Sequence, residues 1–348
     1  MIHASKEYRV LIGRDLLPRA GALMRPVSQA RNAVVVSGER VYPLYGKALE
    51  RSLTEAGFRV LRWIHPSGEE YKDLERYGDL LRFLSENAVG RGDLLLSLGG
   101  GVTGDLTGFA AATYLRGVDF VQIPTTLLAM VDASVGGKTA VNLPTGKNQA
   151  GCFWQPRLVI CDPELLKTLP EREFRSGCAE LIKCAMLRSV CFFRELERGS
   201  AGEHLESFIE NAVSIKRNLV EADEFDRGER MLLNFGHSIG HAVEFCSGYT
   251  VSHGEGVSIG MAMITRAAAA RGLCPSACSD ALESLLRQYG LPVETEIPQE
   301  QLAAAMLRDK KRDGNQIRLV VPEDIGRCRV LPVAIDELYA WLEAGGAR

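Results

Sequence analysis

The sequence predicts an α/β domain with a largely parallel sheet, followed by a mainly α-helical domain. Up to about residue 170, short runs of β-branched and apolar residues alternate with amphipathic helical patterns, which is typical of parallel strands joined by helices. Beyond that point long helical patterns take over, and one hairpin interrupts them. We therefore expect two domains, residues 1–170 and residues 171–348.

The elements follow in order along the chain. Runs rich in Val, Ile, Leu and Phe predict strands at residues 8–12, 33–36, 59–64, 94–98, 120–123 and 158–161. Apolar residues at helical spacing predict helices at residues 171–187, 204–221, 229–246, 254–271 and 274–289, and a hairpin joins residues 316–321 to residues 328–331. Because parallel sheets bind ligands at the carboxyl ends of their strands, residues that follow strands are the first site candidates.

The composition is that of a soluble globular protein. The 348 residues are 46% hydrophobic and 24% charged, and the net charge of −3 gives no bulk electrostatic reason to expect nucleic acid or an anionic membrane as a partner. The amino terminus lacks the apolar core of a signal peptide, and no apolar run approaches the roughly 18 residues of a membrane span. Nine cysteines without CxxC pairs indicate neither a disulfide framework nor a thiolate zinc site. We expect a cytoplasmic protein.

The fourth predicted strand runs directly into a glycine turn. Gly99, Gly101 and Gly104 form G-x-G-x-x-G immediately before Asp105 and an apolar helix. This Rossmann-like order suits a pyrophosphate, because glycines let the backbone approach the anion and the helix N-terminus faces it. The motif alone is equally compatible with a tight turn, since the acidic residue expected about 20 residues on is absent.

Two further glycine loops, VDASVGGKT and PTGKNQAG, follow the turn. They bring Asp132, Lys138, Lys147 and Asn148 into a short stretch. Lysines beside glycines are usually solvated turn residues, but two such loops behind a phosphate-type turn indicate a second anionic ligand.

Three of the six histidines, His237, His241 and His253, fall within seventeen residues. His237 and His241 are four apart and so share one helical face. Glu180, in the otherwise apolar GCAELIKCAML, offers a carboxylate, which together with Lys183 would be costly to bury unpaired. Two histidines and one glutamate with an open position are a known catalytic zinc set. Spacing alone does not select which two histidines bind, and a satisfied core histidine is the plain alternative.

The segments GGGVTGD, RGVDFVQIPTTLLAMVDASVGGKTAVN and GKN resemble 3-dehydroquinate synthase, an NAD- and metal-dependent enzyme of the shikimate pathway. The resemblance extends from about residue 67 to about residue 325. It implies that Glu180, His237 and His253 bind one divalent metal, zinc or cobalt, and that His241 contacts the substrate. The NAD contacts it implies are Glu69, Lys72, Gly100, Gly101, Val102, Gly104, Asp105, Thr125, Thr126, Asp132, Lys138, Lys147, Asn148, Thr168, Leu169 and Glu173.

The resemblance also implies the reaction. The enzyme would convert 3-deoxy-D-arabino-heptulosonate 7-phosphate to 3-dehydroquinate and phosphate by transient oxidation, phosphate elimination, reduction and aldol ring closure, so that NAD is recycled. Asp132 would lie between cofactor and metal. Arg116, in TYLRG, would reach the substrate phosphate from the neighbouring subunit of a homodimer. The other substrate contacts implied are Lys138, Asn148, Asn234, His241 and Lys310 or Lys311 for the phosphate, and Lys183, Lys216 and Arg230 for the rest.

One run departs from the family pattern, and three alternatives stay open. Family members often carry a run such as EGGLR before the arginine, whereas this chain has DRGER, with Asp226 and Glu229. In the earlier segment, Glu39 is only a candidate for a ribose contact. Sister cyclases, the 2-deoxy-scyllo-inosose and valiolone synthases, run similar chemistry. A metal-dependent alcohol dehydrogenase is a rival with little use for so many lysines, and a nucleotide-binding regulator is the non-enzymatic reading.

Overall fold

The computed structural model describes residues 1–199, 202, 204–307 and 315–347, with the backbone alone at residues 312 and 313. Contacts divide the chain into two compact units, Met1–Pro170 and Glu171–Arg348. The strands are β1 Arg9–Ile12, β2 Asn32–Gly38, β3 Arg59–His65, β4 Leu94–Gly99, β5 Asp119–Pro124, β6 Lys138–Leu143, β7 Gly146–Phe153, β8 Leu158–Cys161, β9 Arg312–Asp313, β10 Gln316–Asp324 and β11 Arg327–Ala334. The α-helices are α1 Ala20–Met24, α2 Tyr42–Glu55, α3 Leu74–Glu86, α4 Gly101–Thr113, α5 Glu171–Arg188, α6 Val190–Arg198, α7 Leu205–Ala222, α8 His237–Cys246, α9 His253–Ala270, α10 Ser276–Gln288, α11 Gln299–Met306 and α12 Leu338–Ala344.

The first unit is built on a six-stranded sheet in the order β1-β8-β5-β4-β2-β3. Every pairing in it is parallel, so the fold-class prediction is confirmed. Buried Val34, Leu95 and Phe120 of the strands form one core with Leu84 of α3 and Leu106 of α4. The carboxyl ends of β3, β2, β4 and β5 therefore lie side by side along one edge of the sheet, which is where such sheets bind ligands.

The prediction of two loops after Asp132 is wrong in part. β6 and β7 pair antiparallel into a two-stranded ribbon, with a register shift between Val141 and Leu143. The glycines and lysines of these segments have low strand propensity, so no local pattern indicated strands. Pairing between the two segments decides their conformation, as is common for strands.

The second unit is mainly helical, as predicted, and α9 packs against α5, α8, α10 and α12. β10 and β11 form the predicted antiparallel hairpin. The prediction of one helix over residues 229–246 is wrong. A 3-10 helix occupies Glu229–Asn234, and α8 begins only at His237, after Gly236 with a left-handed φ of 77°. Apolar spacing continues across the break, so periodicity could not reveal it.

Glycine allows α8 and α9 to approach closely. A Cβ on Gly260 would lie 1.9 Å from the carbonyl oxygen of Gly236, a distance at which the backbone must move. The approach brings the first residues of the two helices together, since the rings of His237 and His253 have centroids 5.2 Å apart. The packing of two helix backbones therefore determines the spacing of two predicted metal ligands.

We expect Gly260→Ala to destabilise the protein by about 1–3 kcal/mol, the usual range for overpacking, and to weaken divalent metal binding. Urea unfolding and metal titration measure the two effects. Gly202→Ala is the matched control, because no atom of the described residues lies within 4 Å of the Cβ position there. An unfolding midpoint of Gly260→Ala equal to that of the wild type would contradict the argument.

Candidate active site

Glu180, His237 and His253 come together from three helices of the second unit. The Glu180 carboxylate of α5 is fully buried. Its Oε1 lies 3.7 Å from Nε2 of His237 and 3.6 Å from Nε2 of His253. One ligand atom from each residue lies within 4.8 Å of the others, a spacing that could hold a metal ion. The structure thus brings together the three ligands that the resemblance implied.

Hydrogen bonds at the far ring nitrogens orient both histidines. Nδ1 of His237 lies 3.1 Å from the carbonyl oxygen of Phe235. Because a carbonyl can only accept, Nδ1 carries a proton, and Nε2 is the ring nitrogen that faces Glu180. Nδ1 of His253 lies 2.9 Å from Oε1 of the buried Glu244. This is the arrangement in which outer-shell partners orient metal-binding imidazoles. Glu244 was missed from the sequence.

The Glu180 carboxylate itself fits a cation. Lys183, one helical turn on, forms an ion pair with Oε2. Beyond Lys183 and the two imidazoles, no residue that the structure describes donates a hydrogen bond to either carboxylate oxygen. A buried carboxylate in that state is costly, and a divalent ion on an oxygen and two imidazole nitrogens would satisfy it.

A second possible set shares one of these ligands. His241, Glu244 and His253 also place ligand atoms within 4.8 Å of one another. Glu244 Oε1 in that set already accepts from Nδ1 of His253. Geometry therefore favours Glu180, His237 and His253 as the ligands, with His241 beside them at 5.4 Å between its ring centroid and that of His237.

The carboxylates shift the titration of His253. Burial alone would lower the pKa of its imidazole, but Glu180 and Glu244 outweigh burial and raise the pKa to about 10. The two carboxylates thus favour positive charge at this point of the unit.

Buried cations lie on the same unit. Lys183, Lys216 of α7 and Arg230 are 1%, 5% and 1% exposed, which is rare for these residue types. Asn234 follows Arg230 in the 3-10 helix, and its side-chain amide donates to the carbonyl oxygen of Met231 at 3.0 Å. Four predicted substrate contacts therefore lie on α5, α7 and the 3-10 helix of one unit.

Asp223 holds the divergent DRGER run. Its carboxylate accepts hydrogen bonds from the backbone N–H groups of Arg227, Gly228 and Arg230. Burial alone would raise the pKa of Asp223, but these donors outweigh it and lower the pKa. Asp226 adopts a left-handed φ of 59°, and Glu229 forms an ion pair with Arg188 of α5.

In the first unit, the glycine turn joins β4 to α4 as predicted. Gly100 precedes α4, and no side chain of the described residues caps that helix end. Backbone N–H groups at such a terminus suit an anion. A Cβ on Gly104 would lie 2.7 Å from Oε1 of Gln122 on β5, so the helix approaches the sheet closely at this residue. The turn fits the pyrophosphate of a dinucleotide.

Lys72 connects the predicted NAD contacts at this edge. It is 4% exposed, and its Nζ donates to Oδ2 of Asp105 at 2.5 Å and to Oδ1 of Asn148 at 2.6 Å. Burial alone would lower the pKa of Lys72, but the carboxylates of Asp105 and Glu69 outweigh it and raise the pKa. The lysine is therefore a buried cation beside the turn.

His65 was missed from the sequence. It ends β3, is 2% exposed, and its Nε2 lies 3.1 Å from Oγ1 of Thr103 in the first turn of α4. Burial lowers its pKa, so a neutral imidazole supports the glycine turn.

The remaining predicted site residues are spread over both units. Thr125 donates its backbone N–H to Gly99 O, and Tyr45 contacts Thr168 through their hydroxyls. Arg116 is exposed in a left-handed run with Leu115 and Gly117. Others are Val102 in α4, Thr126 after β5, Asp132 in a π-helical turn at Ala129–Ala133, Lys138 in β6, Lys147 in β7, Leu169 before α5, and Glu173, exposed in α5. Lys310 and Lys311 lie outside the described residues.

Comparisons with known proteins decide the family. A family model for the 3-dehydroquinate synthase N-terminal region matches residues 62–176, and one for its C-terminal region matches residues 177–312. The 3-dehydroquinate synthase of Enterococcus faecalis (strain ATCC 47077 / OG1RF) is 42% identical over 345 residues, 97% of this chain and 96% of that protein. The chain belongs to the 3-dehydroquinate synthase family. The predictions of this family and of an enzyme of the lyase type are confirmed.

Solved structures of other cyclases are similar to this 3-dehydroquinate synthase family member. A 2-epi-5-epi-valiolone synthase from Streptomyces hygroscopicus, with NAD+ and Zn2+ bound, is 29% identical with a TM-score of 0.89, covering 99% of both chains. A 2-deoxy-scyllo-inosose synthase complexed with carbaglucose-6-phosphate, NAD+ and Co2+ shows the common fold, with 24% identity, a TM-score of 0.86, and 97% of this chain and 98% of the other covered. NAD and one divalent metal are the cofactors predicted from the sequence. Across the described residues, no helix is both long and apolar enough to span a membrane.

We expect Glu180→Gln to weaken divalent metal binding more than tenfold, because the amide keeps the shape but removes the anionic ligand. Metal content after dialysis, measured by atomic emission, checks this. Glu300→Gln, at an exposed carboxylate of α11, is the matched control. Retention of one metal per chain by Glu180→Gln would show that the ligand assignment is wrong.

Proposed function

We propose that the chain converts 3-deoxy-D-arabino-heptulosonate 7-phosphate to 3-dehydroquinate and phosphate in the shikimate pathway, with NAD and one divalent metal, in the cytoplasm. The observation that carries the proposal is the set of Glu180, His237 and His253 on the same unit as the buried cations Lys216 and Arg230. The 42% identity to a 3-dehydroquinate synthase over nearly the whole chain supports it.

The proposal assigns each cofactor to one group of residues. The α4 N-terminus, Glu69 and Lys72 bind the dinucleotide, and Glu180, His237 and His253 hold the metal. When bound, NAD supplies a reversible hydride acceptor and the metal supplies a Lewis acid for substrate oxygens.

The buried cations give the site its preference for an anionic substrate. Lys183, Lys216 and Arg230 donate charge-assisted hydrogen bonds to the oxygens of the sugar acid. Nζ of Lys183 forms an ion pair with the Glu180 carboxylate, so this lysine lies beside the predicted metal ligands. Asn234 and His241 orient the phosphate as it leaves. For Lys138 and Asn148 of the first unit, the family resemblance implies a phosphate contact.

A sister cyclase activity is the second candidate, and the valiolone synthase with a TM-score of 0.89 favours it. The substrates of the cyclases differ in the carboxylate that only the heptulosonate carries. Buried cations bind carboxylates and phosphates through charge-assisted hydrogen bonds, so three buried cations on the unit that holds the predicted metal ligands favour the substrate with both carboxylate and phosphate. The same argument disfavours an alcohol dehydrogenase, whose substrate is uncharged.

We expect phosphate release from the heptulosonate phosphate to exceed that from glucose 6-phosphate and sedoheptulose 7-phosphate by at least about a hundredfold in kcat/KM, because a site built for a polar group rejects analogues that lack it. Activity should require NAD in catalytic amounts and leave no net NADH. A coupled phosphate assay and absorbance at the NADH band measure the two. NADH that accumulates in step with product would favour a dehydrogenase, and a preference for sedoheptulose 7-phosphate would favour a valiolone synthase.

We further propose a homodimer in which Arg116 reaches the phosphate in the neighbouring subunit. Its exposed side chain and the left-handed backbone at residues 115–117 support a functional loop, because such strain concentrates at functional sites. Mixing Arg116→Ala chains with Glu180→Ala chains tests this. Each mixed dimer would hold one intact and one doubly damaged site, so an equal mixture should recover about one quarter of wild-type activity.

Arg59→Ala, at an exposed arginine of β3, is the control and should be fully active alone. If mixed dimers, verified by native mass spectrometry, recover no activity, Arg116 does not act across an interface.

A further inference from the structure

We infer that Asn142 is a positioning residue for NAD, because it holds the segment after β3 and strand β7 in register. The segment after β3 carries Glu69 and Lys72, and β7 carries Asn148. This inference rests on the proposed function, because the proposed function assigns these residues to NAD and substrate.

The backbone of Asn142 leaves the ribbon. The residue lies in β6 at the register shift between Val141 and Leu143. Such bulges interrupt the ladder and redirect the extra residue. The Asn142 N–H accordingly donates to the carbonyl oxygen of Lys72 at 2.7 Å. The bulge therefore fastens the ribbon to the loop that carries the buried lysine.

The side-chain amide of Asn142 uses its donor and its acceptor at once. Nδ2 donates to Oε1 of Glu69 at 2.8 Å and to the backbone oxygen of Glu69 at 3.2 Å. Oδ1 accepts from the backbone N–H of Asn148 at 2.9 Å. Asn148 has a left-handed φ of 54°, a conformation that persists where surrounding contacts determine it. An aspartate could not donate to Glu69, and a serine is too short to span both partners.

Asn142, Lys72 and Asn148 are joined by a closed ring of hydrogen bonds. Lys72 binds Oδ1 of Asn148, and Asn142 binds the backbone N–H of the same residue. Loss of the Asn142 amide would release Glu69 and the Asn148 backbone, whereas the ion pair of Lys72 and Asp105 would stay. NAD binding should therefore weaken while the unit stays folded and the metal ligands, which lie in the second unit, are unaffected.

The test is equilibrium NAD binding to the metal-loaded protein by isothermal titration calorimetry. Asn142→Asp should raise the Kd for NAD about tenfold, as expected from the loss of one or two hydrogen bonds. KM for NAD should rise to match, with kcat at saturating NAD changed less. Metal content and thermal midpoint should stay at wild-type values. Asn87→Asp is the matched control, since the amide of this exposed residue donates to the Phe83 carbonyl oxygen.

Rescue separates positioning from a merely structural role. Combining Asn142→Asp with Glu69→Gln lets the amide at position 69 donate to the carboxylate at position 142. Because Glu69 is itself assigned to NAD, the reference is Glu69→Gln alone, and the double variant should bind NAD no more weakly than that single variant. If Asn142→Asp does not fold, Asn142→Ser takes its place and should show the same weaker binding. A wild-type Kd in the variant that folds, or a loss of NAD affinity accompanied by equal loss of metal and of thermal stability, would overturn the inference. A wild-type protein that binds no NAD would instead overturn the proposed function.

Discussion

A buried carboxylate surrounded by a lysine and two imidazoles is the constraint on which the second unit depends. Glu180 is fully buried, and Lys183 on the next turn of α5 is its nearest cation. Such a charge is tolerated only where cations gather around it. α8 begins at His237 and α9 begins at His253, and glycines let the two helix backbones approach closely. This packing places both imidazole rings beside Glu180. Metal affinity and helix packing are therefore linked, as expected where a site forms only in the folded state.

The first unit also contains a buried charge that is stabilised by polar and oppositely charged partners. Lys72 is a buried cation at the carboxyl edge of a parallel sheet, with Asp105 and Asn148 as its partners. The N-terminus of α4 adds partial positive charge beside Lys72. Sheet topology determines where this charge lies, because β3, β2, β4 and β5 end side by side. The glycine turn alone could bind many different anions. Lys72 adds a cation at a fixed position beside the turn.

Local patterns in the sequence predict most of the sheet but not the supports of the site. β8 was predicted at the residues observed, because β-branched residues in a buried strand leave a clear pattern. The three predicted metal ligands required a family resemblance in addition, since spacing could not choose among the histidines. Glu244 and Asn142 were missed for another reason. Each acts through hydrogen bonds to residues on other segments, and such pairings leave no periodicity in the chain. The break at Gly236 was missed because apolar spacing continues across it.

The backbone of the divergent DRGER run is held by hydrogen bonds to one side chain, that of Asp223. Arg230 is buried, and its backbone N–H binds the Asp223 carboxylate, as do those of Arg227 and Gly228. These bonds use backbone atoms, so they do not depend on which side chain stands at position 229. Glu229, where relatives such as those with EGGLR carry leucine, pairs with Arg188, and its side chain stays about half exposed. An exposed ion pair of this kind contributes little to stability. The arginine proposed to bind substrate is thus held by Asp223 through backbone hydrogen bonds that do not involve the side chain at position 229.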